Sequence, residues 1–124
     1  MKSINDFIKE SRGNVKHDDL GGRGMFYTSN GELTYFEDCY TYPVDTDDCI
    51  EITLLRTDVS KQGTGTDLLQ ALIEYAKSVN KKIVVYASPV GDKISEKDLI
   101  DFYVKNGFVQ DERTDDKHCL IYNV

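Results

Sequence analysis

Apolar positions along the chain recur with two periods, and each period assigns elements. Ile4, Phe7 and Ile8 fall on one helical face behind Ser3-Ile4-Asn5-Asp6, a capping-box-like start, and Gly13 is a natural stop. This predicts a first helix lying across a sheet. Asn14 to Gly24 is polar and glycine-rich and reads as a loop, in which Gly21-Gly22-Arg23-Gly24 is a flexible connection or an anion nest. Met25 to Thr28 and Glu32 to Phe36 read as short strands around Ser29-Asn30-Gly31, a hairpin signal. Glu37 to Asp48 is acidic, carries Tyr40, Tyr42 and Pro43, and reads as an exposed loop.

The second half is more regular. Cys49 to Arg56 reads as a central strand with faces Cys49, Glu51, Thr53, Leu55 and Ile50, Ile52, Leu54, Arg56. The second set is expected to face the core helices. Leu68, Leu69, Leu72, Ile73 and Ala76 make one helical face, and Ile83 to Ala87 is a continuous apolar run typical of a strand covered on both sides. Strand, helix, strand implies a parallel crossover. Ser95-Glu96-Lys97-Asp98 opens another helix, with Ile94 and Leu99 placed as a staple, and Asn106-Gly107 closes it. Phe108 to Asp111 and Cys119 to Asn123 are short strands around the polar turn Glu112 to Lys117.

Composition narrows the function classes. A chain of 124 residues supports one domain, taken as residues 1–124. Net charge of −7 opposes nucleic-acid or anionic-membrane binding through a basic face and favours a cationic partner. There is no long apolar run and no signal-peptide pattern, so no membrane association is expected and the location is read as cytoplasmic. Cys39, Cys49 and Cys119 are odd in number and lack C-x-x-C spacing. This argues for reduced thiols and against a structural zinc site. His17 and His118 read as isolated, and no metal site is assigned.

Two stretches carry chemistry. Ser60-Lys61-Gln62-Gly63-Thr64-Gly65-Thr66-Asp67 lies between the central strand and a helix start. A helix N-terminus has unpaired N–H groups and a partial positive charge, and glycines let the backbone close round an anion. The expectation is a phosphate- or pyrophosphate-binding turn; a capped tight turn is the plain alternative. Glu51 is the other feature, a carboxylate in a strand that reads as buried, where a carboxylate is costly unless paired or functional.

With Phe102-Tyr103-Val104-Lys105-Asn106-Gly107-Phe108 at the end of the later helix, the pair of stretches resembles the two signatures of the GNAT superfamily of acetyl-CoA-dependent N-acyltransferases. The resemblance runs from about Cys49 to the C-terminus. It implies an α/β (α+β) fold: a mixed, mostly antiparallel twisted sheet with two splayed central parallel strands and flanking helices. It further implies that acetyl-CoA lies where Cys49–Arg56 and Lys82–Ala87 part. Leu54, Leu55 and Arg56 would pair with the pantetheine arm. Backbone amides of Lys61, Gln62, Gly63, Thr64 and Gly65, with the Thr66 hydroxyl, would hold the pyrophosphate.

Tyr103 matches the family's usual tyrosine acid, and Glu51 is the candidate base. Ser60 stands where the family usually has Gln or Arg, and Glu96, seven before Tyr103, where relatives often have Asn. The implied reaction moves an acetyl group to a primary amine of a small molecule or a protein lysine. The acidic loop from Glu37 to Asp48 is a candidate wall for that cationic acceptor, and a homodimer is compatible with the family. A GNAT-fold module that binds CoA or a protein partner without turnover is the competing reading.

Overall fold

The computed structural model describes residues 15–37, 49–57, 63–87 and 95–124. The predicted first helix, Cys39, the tyrosines of the acidic loop, Ser60, Lys61, Gln62 and the Ser88 to Ile94 segment lie outside the described residues. The elements are β1 (Lys16–Asp19), β2 (Arg23–Thr28), β3 (Gly31–Phe36), β4 (Cys49–Thr57), α1 (Thr64–Val79), β5 (Lys82–Tyr86), α2 (Glu96–Lys105), β6 (Val109–Gln110) and β7 (Cys119–Tyr122). The strands form one seven-stranded sheet in the order β1-β2-β3-β4-β5-β7-β6. Only β4 and β5, at its centre, pair in parallel; the other pairs are antiparallel. The expected fold class is therefore the observed one.

β1 corrects the reading of Asn14 to Gly24 as a loop. Its sequence, Lys16-His17-Asp18-Asp19, has no apolar alternation because it is a mostly exposed edge strand. Gly21 and Gly22, both at positive φ (76° and 78°), make the two-residue turn that joins it to β2, closed by the Leu20 amide donating to the Arg23 carbonyl (2.8 Å). Two successive left-handed residues give the hairpin turn whose twist matches the strands, so the glycines serve pairing here, not anion binding. The second hairpin lies where expected, with the Asn30 amide donating to Thr28 Oγ1 at 3.0 Å.

A bulge in β4 corrects the assignment of its faces. Tyr35 pairs with Ile52 but Thr34 pairs with Leu54, leaving Thr53 as an extra residue. Alternation therefore slips by one at Thr53. Leu55, opposite buried Leu33, packs against the core, while Leu54 and Arg56 turn to the other face. There Arg56 pairs with Glu32 (3.3 Å), and the Thr34 and Thr53 hydroxyls meet at 2.8 Å.

α1 packs on the face of β2, β3, β4 and β5 that carries Phe26, Leu33, Tyr35, Ile50, Ile52, Ile83 and Val85. Its apolar stripe, Leu68, Leu69, Leu72, Ile73 and Ala76, is buried against them. Full burial of such a leucine contributes about 1.5–3 kcal/mol, so this face anchors α1 and thereby the glycine turn that precedes it. α2 joins the same core through Tyr103, its only fully buried residue, with Leu99, Ile100 and Phe102 partly buried beside it. Cys49, Val84, Cys119 and Ile121 form a smaller buried cluster on the opposite face, and both of these cysteines are buried thiols.

Candidate functional site

The parallel pairing of β4 with β5 runs from Cys49–Lys82 to Ile52–Val85 and stops there, although β4 continues to Thr57. Beyond Ile52 the strand is held by β3 on one side, and among the described residues nothing pairs with it on the β5 side. The bulge at Thr53 falls one residue past the last rung with β5. Leu54, Leu55 and Arg56 lie on this segment.

α1 begins next to it. Gly63 holds the N-cap in the left-handed region (φ 78°), and among the described residues no side chain caps the helix; the Asp67 amide closes the first turn onto the Gly63 carbonyl at 2.9 Å. The first-turn N–H groups of Thr64, Gly65 and Thr66 lie at the positive end of a helix sixteen residues long. Gly65 lies against two neighbouring elements: a Cβ added there would stand 3.4 Å from Phe102 Cζ and 3.7 Å from Thr57 Cγ2. The turn, the end of β4 and the α2 aromatic ring are thus in one place. Lys61 and Gln62, also assigned to the cofactor, lie outside the described residues.

Glu51 and Tyr103 approach from opposite faces of the sheet. Glu51 is buried, pairs with Phe36 and Val84, and alternates with Ile50 and Ile52 so as to face away from α1. Tyr103 belongs to the core on the α1 side, with Phe102 and Phe108 rings edge-on at 5.4 and 5.2 Å. Among the described residues its hydroxyl has no hydrogen-bond partner, and burial pushes the phenol well above its ordinary range. The group stays protonated at neutral pH and can serve as a proton donor, not as a base.

His118 is not isolated. Its Nδ1 meets Asp116 Oδ1 at 2.6 Å and its Nε2 meets Glu96 Oε1 at 2.5 Å, while the Tyr86 ring stacks on it at 5.3 Å. The Asp116 carboxylate, then Glu96, hold the imidazole above the usual histidine range. Lys117 Nζ also reaches Glu96 Oε1, at 3.5 Å. The Glu96 carboxylate is thus shared between two cationic side chains. The Asp116-x-His118 spacing was a visible sign of half this cluster; Glu96 comes to it only through the fold.

His17 is likewise engaged. Its Nε2 lies 2.7 Å from the Tyr35 hydroxyl, its ring stacks on Phe26 at 4.5 Å, and burial lowers its pKa. Tyr75, packed beside it, donates to Glu37. This cluster fastens the edge strand β1 to α1, away from the end of β4. Among the described residues no group of three or more His, Cys, Asp or Glu side chains is arranged to hold a metal ion, and no helix is long and apolar enough to cross a membrane.

No family model and no curated protein matches the chain. Solved structures do. The anti-CRISPR protein AcrVA5 is 27% identical, with a TM-score of 0.72 over 83% of this chain and 100% of that one. A protein from Pyrococcus horikoshii OT3 is 16% identical, with a TM-score of 0.58 over 97% of this chain and 71% of that one, a likeness of fold alone. The Bacillus subtilis N-acetyltransferase YlbP, solved in complex with coenzyme A, is 19% identical with a TM-score of 0.47 over 83% of this chain and 68% of that one, and nothing below rests on it. With a central parallel pair that opens beyond Ile52 and a glycine turn at the opening, the chain has a GNAT-like fold.

Proposed function

We propose that this protein is an N-acetyltransferase that moves the acetyl group of acetyl-CoA to a primary amine. The observation that carries the reading is the end of β4–β5 pairing at Ile52, beside the N-terminus of α1. The main chain of Leu54, Leu55 and Arg56, beyond the last rung with β5, suits the amides of a pantetheine arm. The amides of Gly63, Thr64 and Gly65, with the Thr66 hydroxyl, suit a pyrophosphate. When bound, acetyl-CoA supplies the thioester that the amine attacks.

The residues of this chain then handle protons. An amine is mostly protonated at neutral pH, and Glu51 takes its proton through water. The amine nitrogen bonds to the carbonyl carbon, the carbon–sulfur bond breaks, and the leaving thiolate takes a proton from Tyr103. A thiol pKa of about 8.5 lies well below that of this buried phenol, so the hydroxyl donates as sulfur charge grows in the transition state; the nitrogen releases its second proton to water, and Tyr103 is reprotonated from solvent.

Net charge of −7 favours a cationic acceptor. Similarity to an anti-CRISPR protein favours a protein lysine over a free small amine. One observation supports the competing reading of a binding module without turnover: Tyr103 is only 2% exposed, and Glu51 faces the other side of the sheet. Incubation with acetyl-CoA and a panel of polyamines, aminoglycosides, lysine peptides and CRISPR effector proteins, read by mass spectrometry, separates the two. The transferase reading predicts an acetyl adduct on at least one amine together with release of free CoA thiol. CoA binding with no adduct across the panel supports the binding module and contradicts the transferase.

A further inference from the structure

The His118 cluster lies at the same end of the sheet as the candidate site. Tyr86 is the last residue of β5, next to the rung where β4 and β5 part. The Ala87 amide donates to the His118 carbonyl at 2.8 Å, which holds the β6–β7 turn over the end of β5. Glu96 is the first residue of α2. His118 therefore connects three elements: its own turn, the end of β5 and the start of α2.

Among the described residues, α2 is held at that end by the partly buried Leu99 and Ile100 and by the first-turn carboxylate. Its only fully buried residue, Tyr103, sits near the far end. The far end is also tied down: Gln70 Nε2 of α1 donates to Asn106 Oδ1 at 3.1 Å, and Asn106 Nδ2 donates to the Phe102 carbonyl at 2.8 Å. At the near end, Ser95 caps its own helix through the Asp98 amide, which fixes the helix but docks it to nothing. Among the described residues, the side-chain link from the first turn of α2 to the rest of the fold is Glu96 to His118 and Lys117. Lys117 is 73% exposed and 3.5 Å away, a pair of the kind that contributes little.

The two carboxylates fix the proton count. Ionised carboxylates only accept hydrogen bonds, so both ring nitrogens of His118 must donate, and only the imidazolium can do that. A neutral imidazole has one N–H. The groups facing His118 are Asp116 on its own turn, Glu96 on α2, Lys117 beside it and Tyr86 on β5. Asp116 holds Nδ1 and also accepts from the His118 backbone amide at 2.9 Å. Loss of the proton therefore leaves Nδ1–H on Asp116 and turns the Nε2 lone pair toward the Glu96 carboxylate.

We infer that His118 is a proton-operated latch: as imidazolium it clamps the start of α2 to the β6–β7 turn, and on deprotonation it releases Glu96. Asp116 and Glu96 place the opening above the usual histidine range. Its effect reaches the glycine turn through α2, since Phe102 of that helix lies against Gly65. The latch goes beyond the transferase reading and does not rest on it.

The test needs no substrate. His118 ring shifts and α2 amide exchange are followed by NMR from about pH 5.5 to about pH 9, with exchange corrected for its intrinsic pH dependence. In the wild type, His118 titrates above 6.5, the ordinary value, and protection of the Leu99 and Ile100 amides falls by about two- to fivefold across that midpoint. His118→Gln shows the lower protection at every pH. His118→Arg, charged throughout and able to bridge both carboxylates, keeps the higher protection at every pH. Glu96→Gln lowers the His118 midpoint and abolishes the step. A His118 midpoint at or below the ordinary value, or protection that does not change across the midpoint, overturns the latch. A step that persists in His118→Arg assigns it to another group and overturns it equally.

Discussion

Tyr103→Phe keeps its fold and lowers the turnover number by about a hundredfold or more, with little change in the KM for acetyl-CoA. The expectation rests on the hydroxyl's position. The ring packs against Phe102 and Phe108, and a phenylalanine ring fills the same space. Among the described residues the hydroxyl bonds to nothing, so its loss leaves no buried partner orphaned. What the substitution removes is a proton donor, and a positioned general acid contributes about 10²–10⁴ in rate. Unchanged thermal unfolding with collapsed turnover assigns the hydroxyl to chemistry. Unchanged turnover makes Tyr103 a core aromatic and moves the acid elsewhere.

Gly31→Ala is the second large effect, and it acts on stability. Gly31 opens β3 opposite Thr57, the last residue of β4. A Cβ there would stand 2.5 Å from the Arg56 carbonyl oxygen and 3.2 Å from both Thr57 Cα and Thr64 Cγ2. The closest of these is backbone, so no side-chain rotation relieves the contact; β3 and β4 must separate. Such overpacking costs about 1–3 kcal/mol, read as a lower urea midpoint at unchanged m-value. The strand end it displaces is the one proposed to hold acetyl-CoA, so affinity falls with it. Gly65→Ala is the internal control. Its Cβ meets only ordinary contacts in a helix at negative φ, and there alanine is favoured by about 0.5–1 kcal/mol. A Gly31→Ala protein as stable as the wild type would contradict the close approach of β3 to β4.

These results bear on different layers of what the chain discloses. The central crossover was legible because Ile50 to Leu55, the Leu68 to Ala76 stripe and Ile83 to Ala87 each carry a clean period, and buried elements leave the strongest pattern. β1 was not, since an exposed edge strand places no demand for apolar residues on Lys16 to Asp19. The Gly21-Gly22 pair did carry the hairpin signal, but no apolar run upstream invited its use.

The bulge at Thr53 was invisible for another reason. A register slip belongs to a pair of strands, and the sequence of β4 alone shows only unbroken alternation, which put Leu54 and Leu55 on the wrong faces. His118 illustrates the same limit for chemistry. Asp116 is two residues away in sequence, but the second carboxylate arrives from the start of α2, and nothing local to His118 announces Glu96. Glu96 thereby acquires a place of its own as the partner of two cations.

The most direct measurement is calorimetric titration of the wild-type protein with acetyl-CoA, with dephospho-CoA and ATP as controls. A pantetheine arm along β4 past Ile52, with its pyrophosphate at the start of α1, predicts micromolar binding of acetyl-CoA, retained in large part by dephospho-CoA, which keeps the pantetheine and pyrophosphate, and no heat from ATP, which lacks the arm. Absence of heat at millimolar acetyl-CoA, or equal binding of ATP, would contradict the assignment of the gap past Ile52 to the pantetheine arm.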